Sequence, residues 1–254
     1  MREATLDRLG LVSYEVGLAW QRAAAAALRA GDSPGAREAL AVLEHAPVYT
    51  LGARGDARHV LATPEALAAR GARVVTTDRG GDVTFHGPGQ IVVYPVLDVR
   101  ARGLGPGAYV RALEGAVIAA LGRWGVAGER VPGRPGVWVA GAKVAAVGVR
   151  IRDGVSTHGL ALNVSTELRW FEAIVPCGIA DAGVTSLAAL LGAGAPTVRE
   201  AGEAVADALA AAFELRLVDP HPRRSPSPGD RARGSAGSGD GVDAPWAAAR
   251  AGAV

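Results

Sequence analysis

The chain predicts an α/β fold of the α+β kind, a mixed β-sheet covered by helices. Short β-prone runs alternate with helical stretches along most of its 254 residues, and a hairpin signal separates neighbouring runs near the middle. About half of the composition is apolar, enough for a sizeable core. Hairpins among the strands favour a mixed sheet over a doubly wound parallel one.

The elements follow in order. A short apolar segment at 9–12 precedes a run, 14–30, whose alanines, Leu18, Trp20 and Leu28 recur at helical spacing and stop at Gly31. Residues 38–43, 48–51 and 73–76 are β-prone, with a helix at 64–70 before the last. Residues 91–96 form an apolar, β-branched run bounded by Pro88-Gly89, read as a buried strand. Between 107 and 124, Val110, Leu113, Val117, Ala120 and Leu121 share one stripe of a core-facing helix. Strands are expected at 136–140, 143–151 and 157–164, with Asp153-Gly154 as a hairpin turn between the last two. Helices are expected at 167–173, 184–191 and 198–215.

From Asp219 the composition changes to Pro, Ser, Gly, Arg and Asp, which cannot bury a core. The expected organisation is one folded unit, 1–218, and a disordered tail, 219–254.

With 27 Lys+Arg against 25 Asp+Glu, the formal net charge is only +2, so a nucleic-acid-coating role is not expected. One cysteine cannot form an internal disulfide, and the start Met1-Arg2-Glu3-Ala4 lacks a secretion pattern. No apolar stretch is long enough to span a bilayer. These features predict a soluble protein in a reducing cytoplasm, with no membrane partner.

Cys177 and Lys143 are the only cysteine and the only lysine; apart from histidine, every other basic side chain is arginine. Arginine replaces lysine as a solvated charge but cannot deprotonate, so a site that passes a proton through an amine needs lysine. A thiol is equally irreplaceable as a nucleophile. Between two β-prone runs lies Arg79-Gly80-Gly81-Asp82-Val83-Thr84-Phe85-His86-Gly87-Pro88-Gly89-Gln90, whose four glycines and proline let backbone approach a ligand. It is neither a phosphate loop ending in Gly-Lys-Ser/Thr nor a dinucleotide fingerprint.

This segment, followed by Tyr94, resembles the signature of the octanoyltransferases of lipoate synthesis. Further stretches agree with it in order: Glu44-His45-Ala46-Pro47-Val48-Tyr49-Thr50-Leu51-Gly52, Gly136-Val137-Trp138-Val139 leading to Lys143, His158 to Asn163, and Ile174 to Ile179 with Val184-Thr185-Ser186-Leu187. The resemblance covers roughly residues 8–218. It implies the α/β fold shared with lipoate and biotin protein ligases. It also implies transfer of an octanoyl group from octanoyl-acyl carrier protein to the acceptor lysine of lipoyl domains, those of 2-oxoacid dehydrogenase complexes and the glycine cleavage H protein.

By the same resemblance Cys177 is the acyl-thioester nucleophile and Lys143 its acid/base partner. Substrate contacts fall on Arg79, Gly80, Gly81, Asp82, Val83, Thr84, Phe85 and His86, on Ala146, Val147 and Gly148, and on Gly159, Leu160 and Ala161. Bulk at Gly148 or Gly159 is expected to shorten the accepted chain. No cofactor, metal or nucleotide is implied, and a monomer is expected. His86 and His158 are alternative bases, Asn163 is a candidate for orienting the lysine or the cysteine segment, and Arg54, Arg58 and Arg79 are candidate docking charges for the carrier. The competing functions are an ATP-dependent lipoate ligase on the same fold, a thioester hydrolase, and a non-catalytic acyl-carrier or lipoyl-domain binding module.

Overall fold

In the computed structural model, which describes residues 1–31, 37–176 and 183–220, two sheets share the chain. The larger has eight strands. It opens with β1 (Arg2–Val12), follows with β2 (Glu38–His45), and takes β6 (Gln90–Val96) after an excursion into the smaller sheet. That smaller sheet comprises β3 (Val48–Leu51), β4 (Val74–Thr76) and β5 (Val83–His86). The large sheet is completed by β7 (Glu129–Val131), β8 (Arg134–Val139), β9 (Ala142–Arg152), β10 (Val155–Asn163) and β11 (Leu215–Val218).

Strand order in the large sheet is β11-β1-β2-β6-β10-β9-β8-β7. The β11-β1 and β1-β2 pairs are parallel, whereas the pairs joining β2, β6, β10, β9, β8 and β7 are antiparallel. This is the mixed sheet the sequence predicts. The β9–β10 hairpin turns at Asp153-Gly154, both with positive φ (53° and 88°), the geometry that Asp-Gly supplies most readily.

Helix α1 (Tyr14–Ala30) matches its expected bounds because Ser13 caps it, accepting from the Val16 N–H, and Gly31 leaves the helical region at φ 69°. Its buried Val16, Trp20 and Ala25 pack on one face of the large sheet with Ala41, Val92 and Tyr94. Helices α3 (Pro106–Gly122) and α5 (Val198–Ala212) cover the other face, where Leu113, Val117, Leu121, Val205 and Leu209 meet Ile91, Val93, Leu160 and Leu162. Val110 is only half-buried, and Tyr109 and Ala116 occupy the core beside the rest of the stripe. Helices α2 (Pro64–Ala69) and α4 (Leu187–Leu191) are short.

Several expectations change. The apolar segment at 9–12 proves to be the end of a longer strand, β1, that begins at Arg2: Ala4 and Leu6 face the core, and charged neighbours hide them in the sequence. Residues Leu168–Ala173 form a 3-10 helix, tighter than the α-helix expected. Val184 is extended, bridging to Lys143, and α4 starts only at Leu187. The helix expected to reach Leu215 ends at Ala212, and Leu215 opens β11. No helix among the described residues is long and apolar enough to cross a membrane.

Candidate active site

Side chains alternate across the central strands. Ile91, Val93, Val147, Leu160 and Leu162 face the α3/α5 core. Their neighbours face α1 and the small sheet, in ranks set by the register. Gln90 stands opposite Asn163, Val92 opposite Ala161, with Ala146 beside it, and Gly159 opposite Gly148, with Tyr94 flanking. The ranks run from polar, through small and apolar, to glycine and tyrosine.

Above these ranks lies a mostly apolar cleft. Its walls are Val92, Tyr94, Ala146, Ala161 and the glycine pair, roofed by Thr84 and His86 of β5, with Tyr14, Arg79 and His158 around one end. A second cavity, lined by Lys143, Gln90, Asn163, Phe171, Pro176 and Val184, shares the Thr84, Ala146 and Ala161 walls with it. The two lie side by side across these shared walls, one at Lys143 and the other at Tyr14 and Tyr94, and are together called the slot.

Of the predicted contacts, Arg79, Gly80, Gly81, Thr84, His86, Ala146, Gly148, Gly159 and Ala161 line this cleft; Val147 and Leu160 also border it, although their side chains face the α3/α5 core. Asp82, Val83 and Phe85 do not line it. Strand alternation sends Val83 and Phe85 into a separate apolar cluster with Tyr49, Leu67, Phe171 and Ile174, where Phe85 stacks on Trp170 at 5.0 Å. Asp82 turns instead to the Asp56 N–H and His59.

Two further expectations are corrected by packing. A Cβ on Gly159 would lie 2.1 Å from the Val93 carbonyl oxygen, and one on Gly148 2.9 Å from that of Gly80. Bulk there meets backbone, whereas Ala146 and Ala161 line both cavities. Arg79 is buried with its guanidinium on the Thr50 carbonyl (2.6 Å) and hydroxyl (2.8 Å), so it offers no exposed docking charge.

The polar end is a directional chain of hydrogen bonds. His86 Nδ1 donates to Gln90 Oε1 (2.7 Å), Gln90 Nε2 donates to Asn163 Oδ1 (2.9 Å), and Asn163 Nδ2 donates to the Thr185 carbonyl (3.0 Å). Burial pushes His86 down to about 3, so it is a neutral imidazole of little basicity. His158 is also lowered by burial, against the raising effect of Asp78 at 2.7 Å. His45 Nδ1 donates to the Val12 carbonyl, leaving Nε2 to accept from the Tyr94 hydroxyl at 2.7 Å; burial lowers it to about 4.

Lys143 is buried on β9, with Nζ 4.8 Å from the Trp138 ring centroid, a cation–π distance. Gly136 makes room beside it: a Cβ there would sit 3.4 Å from the lysine Cε and 2.5 Å from the Ala145 carbonyl oxygen, at a φ of 122°. The Lys143 backbone bonds the segment after the predicted nucleophile, through its N–H to Gly183 O and its carbonyl from Thr185 N, both 2.9 Å. Cys177 itself lies outside the described residues. Pro176, the residue before it, stands in the wall of the Lys143 cavity.

His86 and His158 line the cleft, His45 contacts His86 and Tyr94 behind it, and His59, which no sequence motif singles out, meets Asp82 of the glycine-rich segment; with five histidines in the chain, rarity is the signal available for it.

The mixed eight-stranded sheet with helices on both faces is the fold of the lipoate-protein ligases. The chain superposes on lipoate-protein ligase A bound with ATP at a TM-score of 0.68 with 16% identity, covering 85% of this chain and 88% of that one. It superposes on a bi-partite lipoate protein ligase from Thermoplasma acidophilum at 0.62 with 15% identity, covering 86% and 87%. The family model of the lipoyl protein ligase A/B catalytic domain matches residues 13–210. An octanoyltransferase of Chloroflexus aggregans is 48% identical over 222 residues, 86% of this chain and 99% of that protein. One of Geobacter metallireducens is 48% identical over 188 residues, 74% and 84%. The chain belongs to the lipoyl protein ligase A/B catalytic-domain family, among its octanoyltransferases, and is an acyltransferase.

Proposed function

We propose that the chain moves an octanoyl group from octanoyl-acyl carrier protein to the acceptor lysine of a lipoyl domain, through a thioester on Cys177. The observation that carries this reading is the slot: small apolar walls at Ala146 and Ala161 that end where Lys143 and Pro176 share one cavity. An eight-carbon chain suits dry, narrow walls, and each buried methylene contributes about 0.8 kcal/mol.

Cys177 follows Pro176 in the sequence, and Pro176 lines the Lys143 cavity. A free thiol has a pKa near about 8.5, and a neighbouring amine that takes its proton produces the thiolate. The thiolate attacks the donor carbonyl, a bond from Cys177 Sγ to the acyl carbon forms, and the bond to the carrier sulfur breaks. Lys143 returns the proton to the departing carrier thiolate. In the second half-reaction the acceptor amine, which ordinarily titrates near about 10.4, loses a proton to Lys143 and attacks the acyl-cysteine. Cys177 leaves with that proton. Thioester exchange is nearly isoenergetic and aminolysis of a thioester to an amide is downhill, so neither step needs a nucleotide.

The burial that holds His86 down to about 3 supports Lys143 over that histidine as the proton carrier. Lipoyl domains of 2-oxoacid dehydrogenase complexes and the glycine cleavage H protein are the acceptors of this reading. The catalytic unit is 1–218, acting as a monomer in the cytoplasm.

The test is to incubate the protein with octanoyl-carrier protein and no nucleotide, then to measure intact mass and map the adduct. One octanoyl group on Cys177 that disappears when a lipoyl domain is added is the expected result. Modification of the lipoyl domain only when ATP and free octanoate are supplied would replace this reading with the ligase one.

A further inference from the structure

Asp82 belongs by sequence to the glycine-rich segment, yet it faces away from the slot. One of its oxygens accepts from the Asp56 N–H (2.9 Å), and the other meets His59 Nδ1 at 2.5 Å. Its carboxylate is nearly buried, whereas the His59 ring keeps about a third of its exposure, 32%.

His59 in turn holds the chain that leads to the nucleophile. Its carbonyl accepts from the Val175 N–H (2.8 Å), Val60 pairs antiparallel with Ile174, and the Leu61 N–H donates to the Ala173 carbonyl (2.8 Å). This short ladder stops one residue before Pro176, in the wall of the Lys143 cavity. On its other side the Asp82 loop grips the slot. Gly80 N donates to the Val149 carbonyl (2.9 Å), next to the slot-lining Gly148, and the Asp82 carbonyl accepts from Gly52 N (3.1 Å). The 80–82 loop beside the acyl slot and the 57–59 turn beside the approach to Cys177 are therefore joined through Asp82.

We propose that Asp82 and His59 are positioning residues, a clasp that sets where the segment entering Cys177 lies relative to Lys143 and the slot. The proposal rests on the reading of Cys177 as the nucleophile. The 3-10 turn Ala57–His59 has no buried residue, so hydrogen bonds hold it: the Asp56 cap on the Arg58 N–H, the ladder to 173–175, and the two Asp82 contacts, which tie it to the slot-side loop. Proton transfer and attack both depend on placement, and a misplacement of about 1 Å costs about 10²-fold in rate.

The experiment measures octanoyl transfer from octanoyl-carrier protein for wild type, Asp82→Ala, His59→Ala and His59→Asn, with unfolding temperature alongside. Asparagine can offer an amide N–H near the place of Nδ1. The expected result is a fall in kcat of about 10- to 100-fold for both alanine variants, donor KM within about twofold, and recovery of most of the loss in His59→Asn. A raised KM with unchanged kcat in Asp82→Ala would make Asp82 a substrate contact and overturn the clasp. Unchanged kcat in both alanine variants would overturn it as well. Should Asp82→Ala fail to fold, the half-exposed His59 pair of variants decides alone. Absence of an octanoyl adduct on Cys177 in the wild type would instead bring down the nucleophile reading, a different failure from equal rates among variants that all acylate.

Discussion

The two faces of the large sheet are built from the same strands and serve opposite ends. On β10, Leu160 and Leu162 enter the α3/α5 core, while Ala161 and Asn163, one residue away, face the slot. The core face is largely apolar, with isolated polar pairs such as Tyr109 with Ser156. The slot face instead combines small side chains, buried neutral histidines and a directional polar chain. A period of two lets one strand invest alternate residues in stability and in chemistry, with little interference between them.

The contrast breaks most sharply at Lys143. Lys143→Arg keeps a charge but removes the proton carrier, so transfer should fall about 10²- to 10⁴-fold with donor binding retained. Near-normal turnover in a steady-state assay would remove its proton role. Next, Leu162→Ala on the core face should cost about 2–5 kcal/mol in denaturant unfolding while leaving chain-length preference alone. A changed preference would show that the faces are coupled.

Ala161→Leu, one residue away, should do the reverse. Stability should change less, and kcat/KM should shift toward acyl donors shorter than octanoyl, by about fourfold for each excluded methylene. An unchanged profile across six-, eight- and ten-carbon donors would take Ala161 out of the slot wall.

The smallest effect is in pH. His45 and His86 are held to about 4 and about 3 when folded, against about 6.5 unfolded. The unfolded chain therefore binds more protons below about pH 6.5. Their stabilising share is complete above that value and is lost as pH falls toward the folded values. Unfolding temperature should be flat above pH 7 and decline between about 6.5 and 5, before most carboxylates titrate. A flat curve there would mean that the histidines open to water.

Much of this was legible because the signals are local. Ser13 and Gly31 bracket α1, and Asp153-Gly154 marks its hairpin. The rarity of lysine pointed to Lys143, which the structure places at the end of the slot. What stayed hidden depends on distant partners. Leu215 to Val218 continue the apolar spacing of α5, and only pairing with β1 makes them a strand. Asp82 and Phe85 sit within the glycine-rich motif, but whether they face the slot is decided by β5 pairing with β3. His59 carries no spacing signal, because its partners Asp82 and Val175 are joined to it only by the fold.

The parallel seam between β1 and β11 has a consequence for synthesis. Glu3 pairs with Arg216, 213 residues further along. Closing so long a loop costs little extra stability, because the entropy grows only logarithmically, but it delays folding. Until Leu215 to Val218 emerge from the ribosome, β1 presents an open row of backbone donors and acceptors to any neighbouring chain. A nascent chain halted after α5 would hold every wall of the slot, and its hazard would be edge-to-edge aggregation before any loss of chemistry.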